Sequence, residues 1–202
     1  MNRVKIILML TLFSLTSCVT NKHIFNDQNF NDFGQTKIQT VVKLEKKRHS
    51  KDITPNNLVE IGKGIYPNEN NFILATPKTY KIKERPNFKI EIEYFYSETD
   101  STVKVMLYQW DYLKKSKSHF TEEENYTKKF SVFQKKFDDL KTELTKGFGE
   151  PTVINIEQDK INGETFRDDL KWKNKDGLNV YLFMFGNNSS GYRQIRLAIY
   201  KD

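Results

Sequence analysis

Two stretches of the chain are apolar at odd and even positions alike. In Val103 to Trp110, Val103, Val105 and Leu107 alternate with Met106, Tyr108 and Trp110, and Leu178 to Phe185 repeats the pattern with Val180, Leu182 and Met184 against Tyr181, Phe183 and Phe185. Side chains alternate across a strand, so a half-buried strand reads apolar every second residue. One that is apolar throughout needs cover on both faces. The chain must therefore build a sheet with interior strands and something to lay on each side of it. The neighbouring segments supply that sheet. Phe88, Ile90, Ile92, Tyr94 and Tyr96 alternate with Lys89, Glu91 and Glu93, and Ser97 to Ser101 reads as the turn into the first apolar strand. Phe166 to Lys173, with Leu170 and Trp172, leads through a turn at Asn174 to Gly177 into the second. Gly186 to Gly191 turns again into Tyr192 to Tyr200, which places Ile195, Leu197 and Ile199 on one side.

Between these two groups lies a helix signature. Thr121 and Glu124 form a capping box, and Tyr126, Phe130, Phe133, Phe137, Leu140 and Leu144 recur at steps of three and four. Lys135, Lys136, Lys141 and Lys146 load the later turns, and Gly147, Gly149 and Pro151 stop the helix. The predicted class is α+β: a two-layer domain whose antiparallel sheet, a hairpin plus a three-stranded meander, carries one long amphipathic helix. Ile38 to Leu44 reads as a short strand, Val153 to Ile156 as a weaker one, and Leu58 to Ile82 holds strand-like runs broken by Gly62, Gly64, Pro67 and Pro77. The helix, its Phe148-Gly149-Glu150-Pro151 stop and the later Trp172 are similar in outline to the helix-then-meander pattern of small outer-membrane lipoproteins typified by the barrel-assembly accessory BamE. That resemblance covers residues 121–185, and the hairpin before the helix departs from it.

The first seventeen residues have another character. Arg3 and Lys5 precede an apolar run from Ile6 to Leu15, about half the roughly 20 residues a membrane-spanning helix needs. The run ends in Leu15-Thr16-Ser17-Cys18, which resembles the lipobox of bacterial lipoproteins. The resemblance implies that residues 1–17 are a signal peptide, removed after a diacylglycerol is attached to the Cys18 sulfur, and that the new amino terminus is acylated. Two or three acyl chains, each buried CH₂ contributing about 0.8 kcal/mol, hold a protein on a bilayer durably. Residues 18–36, rich in Asn and Asp, read as a tether, and residues 37–202 as a single domain.

Cys18 is the only cysteine, so the domain must stand on its core without a disulfide. A 37% hydrophobic and 13% aromatic content is enough to build one. The formal charge is +7, of which the signal peptide takes two, with acidic and basic residues interspersed; an exported protein meets no nucleic acid. Lys43, Lys46, Lys47, Arg48 and Lys51 form a basic stretch near the tether, suited to anionic lipid head groups. His23, His49 and His119 show no metal-binding spacing, and no nucleophile or phosphate-loop motif is present. The adjacent carboxylates Asp138-Asp139 and Asp168-Asp169 read as solvated surface groups. No catalytic residue, metal or cofactor is expected.

Two features point to binding or modification. Tyr108, Trp110 and Tyr112 gather aromatic area on one hairpin, which reads as a sugar-stacking or protein-binding face. Asp100-Ser101-Thr102 resembles the O-glycosylation site of exported proteins of the Bacteroidota, whose Asn- and Lys-rich style the chain shares, which implies Ser101 as acceptor. The leading expectation is a non-catalytic envelope lipoprotein that binds another envelope protein or assists assembly. The alternative is a glycan or cell-wall binder using the hairpin aromatics. Surface-exported lipoproteins of that phylum resemble one another in having acidic residues after the cysteine. Val19, Thr20, Asn21 and Lys22 stand there instead, so the outer membrane's periplasmic face is expected.

Peptide mapping of the mature protein tests both modifications. Cys18 is expected to be the acylated amino terminus, and Cys18→Ala to abolish palmitate labelling and release the protein from membranes. A peptide spanning Ser101 is expected to carry a glycan mass. An unmodified Cys18 or Ser101 would overturn the corresponding assignment.

Overall fold

The computed structural model describes residues 34–67, 73–84, 86–113, 122–156, 165–173 and 177–201. The chain divides into two units, Met1–Phe33 and Gly34–Asp202. The lipobox, most of the tether and the Thr121 cap lie outside the described residues.

The second unit is α+β, with two helices and eight strands among the described residues. α1 (Ile38–Lys47) leads into β1 (Lys51–Asp52), β2 (Lys78–Glu84), β3 (Phe88–Tyr96) and β4 (Val103–Tyr112). α2 (Glu122–Phe148) follows, then β5 (Val153–Asn155), β6 (Thr165–Lys173), β7 (Leu178–Asn187) and β8 (Tyr192–Lys201). All eight strands join one antiparallel sheet in the order β1-β2-β3-β4-β8-β7-β6-β5. Each half of the sequence thus folds as a four-strand meander, and the halves meet where β4 pairs with β8 in the middle of the sheet. The two stretches apolar on both sides occupy interior positions, β4 and β7.

Directly opposed residues share a face, so the register sorts the side chains. The first face runs from Ile92 through Tyr108, Leu197 and Leu182 to Leu170, with Ile90, Trp110, Ile195 and Met184 in the next row. α2 lies on it through the expected stripe: Phe133, Phe137, Leu140 and Leu144 are buried, and the Phe133 ring meets Phe88 edge-on at 5.1 Å. Lys136 is buried there too. Its ammonium sits 2.7 Å from Glu84, and the same carboxylate accepts the Trp110 indole N–H at 2.8 Å. The helix ends at Gly149, whose φ of +79° suits glycine and whose carbonyl accepts the Trp172 indole N–H at 2.9 Å. The other face gathers Phe95, Val105, Leu107, Ala198, Tyr200, Tyr181 and Phe183. Ile61, Ile65, Tyr66 and Leu74, from the irregular segment before β2, cover it. Among the described residues, the strand-like runs expected within Leu58 to Ile82 are therefore mostly non-strand cover; Leu74 makes one isolated bridge to Ser97, and the end of the stretch pairs as β2.

The expectation of a short strand at Ile38 to Leu44, and of a single helix, is corrected. This segment is the helix α1. β-branched Ile38, Thr40, Val41 and Val42 favour a strand locally, but Ile38, Val41 and Glu45 are buried at helical spacing, and that tertiary burial decides. Glu45 is fully buried. Its carboxylate accepts bonds from the Tyr94 hydroxyl at 2.8 Å, the Arg48 guanidinium at 3.0 Å and the Ser50 hydroxyl at 2.5 Å. Burial, with Tyr108 and this carboxylate adding to it, pushes the Tyr94 hydroxyl well above its ordinary pKa, so it stays the donor.

Removing one member of a buried, charge-assisted cluster strands the others. Glu45→Ala is expected to lower stability by about 3 kcal/mol in urea unfolding monitored by circular dichroism. A loss within error of zero would overturn the role given to this carboxylate.

Candidate functional site

The cover on the second face is uneven. The apolar rows holding Phe95, Val105, Leu107 and Tyr181 lie under the segment that carries Ile61 and Tyr66. The next two rows are mostly polar and half-buried, with Phe183 and Gln194 buried among them. One runs Lys81, Glu91, Gln109, Arg196, Phe183 and Asp169 across successive strands, and the other joins Lys89, Asp111, Gln194, Phe185 and Arg167. The polar groups are linked side to side. Lys81 pairs with Glu91 at 2.9 Å, Lys89 with Asp111 at 3.4 Å, and the Gln194 amide donates to Asp111 at 2.8 Å. Arg196 Nε donates to Gln194 at 2.7 Å, and the Gln109 amide donates to Glu93 at 3.1 Å.

Where Arg167 and Arg196 stand on the β6 and β8 sides of β7, a cavity of about 430 Å³ opens. Ile65, Thr165, Phe166, Arg167, Phe183, Phe185 and Arg196 line it. Both guanidiniums lie over aromatic rings, Arg167 4.5 Å from the Phe183 centroid and Arg196 5.2 Å from that of Phe185. Arg167 Nε donates to Asp169 at 2.9 Å, and its Nη2 donates to the Tyr181 hydroxyl, which in turn donates to Asp169. Burial lowers the Arg196 pKa and raises that of Glu93; each also acts on the other, the guanidinium drawing the carboxyl back down and the carboxylate supporting the guanidinium. Tyr192, 45% exposed, flanks the site against Phe185 at 6.0 Å. The site therefore offers delocalised cations, flat apolar surface and hydrogen-bond donors at one opening.

Tyr108 and Trp110, named from sequence as a binding face, are fully buried on the opposite face and stack at 6.1 Å, while Tyr112 is half-buried against Phe133. β4 is interior, so these rings lie in the core, and the glycan reading loses the surface on which it was built. Ser101 sits partly exposed in the β3–β4 turn with φ +61°, between Asp100 and Thr102. Asp100 accepts the Thr102 amide at 2.9 Å, which holds its carboxyl at about 2. Asp138 and Asp139 are exposed on α2, as expected. Asp168 and Asp169 are not a solvated pair. Strand alternation buries Asp168 on the first face and turns Asp169 to the Tyr181 network on the second. Cys18, His23 and His119 lie outside the described residues, and His49 is exposed. Among the described residues no cluster of three or more His, Cys, Asp or Glu could hold a metal, and no helix is long and apolar enough to cross a membrane.

Reading the sequence did not single out Arg167, Phe183, Phe185, Tyr192 or Arg196. A trace was present: Gln194 and Arg196 interleave with Ile195, Leu197 and Ile199, which sends two polar groups to the face away from the helix. No protein-family model, no curated protein and no solved structure matches the chain.

Burial, with the bond to Asp169 reinforcing it, pushes the Tyr181 hydroxyl up to about 12. A raised pKa favours the protonated form in the fold, so this contribution is complete below the ordinary phenol value near 10 and is lost as pH rises through about 12. Tyr181→Phe is expected to remove one late phenolate transition from the absorbance titration and to flatten the fall in melting temperature across that window. A titration identical to wild type would overturn this.

Proposed function

We propose that the chain is a lipid-tethered accessory protein of the bacterial outer membrane, facing the periplasm, that works without catalysis by docking another envelope protein. Ser101 is its glycan acceptor and Cys18 its anchor. One observation carries the docking reading: on the second face Arg167, Arg196, Phe183, Phe185 and Tyr192 surround an opening of about 430 Å³ among the described residues. Arginine and aromatic side chains are enriched in the energetic centres of protein interfaces, because each combines a large flat area with few internal rotations. Asp169 and the Tyr181 hydroxyl hold the Arg167 guanidinium, and the Gln194 amide oxygen holds that of Arg196, before a partner arrives, which lowers the ordering cost of docking.

A photo-crosslinking amino acid at position 192 tests the proposal in cells. The expected result is one envelope protein captured in stoichiometric yield, and a capture reduced about tenfold or more by Phe185→Ser, the order of loss for an interface centre. Capture of no protein, or capture indifferent to Phe185, would overturn it.

A further inference from the structure

We infer that α1 is a second membrane contact, an electrostatic foot that rests on anionic phospholipid head groups. The inference depends on the lipid anchor proposed above. Lys43, Lys46 and Lys47 are exposed at helical spacings of three and four, so they share the outward side of α1. The one carboxylate of the helix, Glu45, is turned inward and wholly buried with Tyr94, Arg48 and Ser50. The outer side of α1 is thus cationic over its second half. The nearest following acid, Asp52, accepts the Thr54 amide at 2.8 Å. α2, on the same sheet face, is built differently: its exposed Lys135 is paired with Asp139 and Lys146 with Glu143, each at 2.8 Å.

Position in the chain supplies the second argument. α1 is the first described element after Cys18, and Ile38 follows that residue by twenty positions. Twenty residues reach at most about 70 Å even fully extended, so an acylated Cys18 keeps the α1 lysines within that distance of the leaflet that takes the acyl chains. Each lysine close to an anionic leaflet strengthens the contact about fivefold, and three together by on the order of 100-fold. Val42, 36% exposed beside them, adds a small apolar contact. Because α1 packs on the first sheet face through Tyr94, this footing turns the cavity on the second face away from the bilayer, toward a soluble or protruding partner.

The test uses the mature protein as cells produce it, on vesicles of phosphatidylcholine alone or with about one third phosphatidylglycerol. An amine-acylating reagent is applied, and peptide mass spectrometry compares Lys43, Lys46 and Lys47 with Lys63, which is exposed on the cover of the other face. The expected result is modification of the α1 lysines about tenfold slower, relative to Lys63, on the anionic vesicles only, with the difference removed by about 0.5 M salt. Equal ratios on both vesicles would overturn the foot and leave the anchor standing. Sedimentation with anionic vesicles alone, with α1 protected, would overturn the anchor and uphold the foot. Sedimentation with neither would overturn both.

Discussion

The pairing of β4 with β8 carries the architecture. It joins two meanders that are separated in sequence by the whole of α2, and it places β4, β8 and β7 where both faces of each strand need cover. Apolar residues on both sides of a strand are stable only if water is excluded from both. α2 meets this need on one side with a continuous stripe of Phe and Leu. An irregular segment meets it on the other, through Ile61, Ile65, Tyr66 and Leu74. Among the described residues that segment covers the apolar rows of its face, and the polar rows and the cavity lie beside it.

Carboxylates fasten both helices to the sheet. Glu45 ties α1 to Tyr94 on β3, and Glu84 at the end of β2 binds Lys136 of α2 and the indole of Trp110 together. Such groups add directionality that an apolar contact lacks, since a slipped helix would leave a buried charge unpaired. The helices are therefore held in register on the sheet as well as attached to it, and the outward orientation of the α1 lysines follows from where Glu45 is fixed.

These features assemble into one functional picture. In the proposed reading, the acylated Cys18 and the lysines of α1 address a membrane, and the Arg167–Arg196 cavity with its Phe and Tyr surroundings addresses a partner. The sheet separates them, because α1 packs on one face and the cavity opens on the other. A single sheet thick enough for one helix layer would set membrane and partner on opposite sides of the domain.

The residue pattern alone revealed much of this: the α+β class, the hairpin of β3 and β4, the meander of β6 to β8, the α2 stripe, and the resemblance to a lipobox. Each of these is a local periodicity or motif, readable without knowing what lies opposite. What stayed hidden depends on contacts between distant segments. β-branched Thr40, Val41 and Val42 spoke for a strand until Glu45 found Tyr94, forty-nine residues away, and made α1 a helix. The aromatics of β4 looked like a surface until β8 paired beside them and α2 closed over them. Asp168 and Asp169 looked alike until the sheet buried one and bonded the other to Tyr181. The cavity, built from β6, β7, β8 and the cover before β2, exists only because the register sets Arg167, Phe185, Phe183 and Arg196 side by side across the strands.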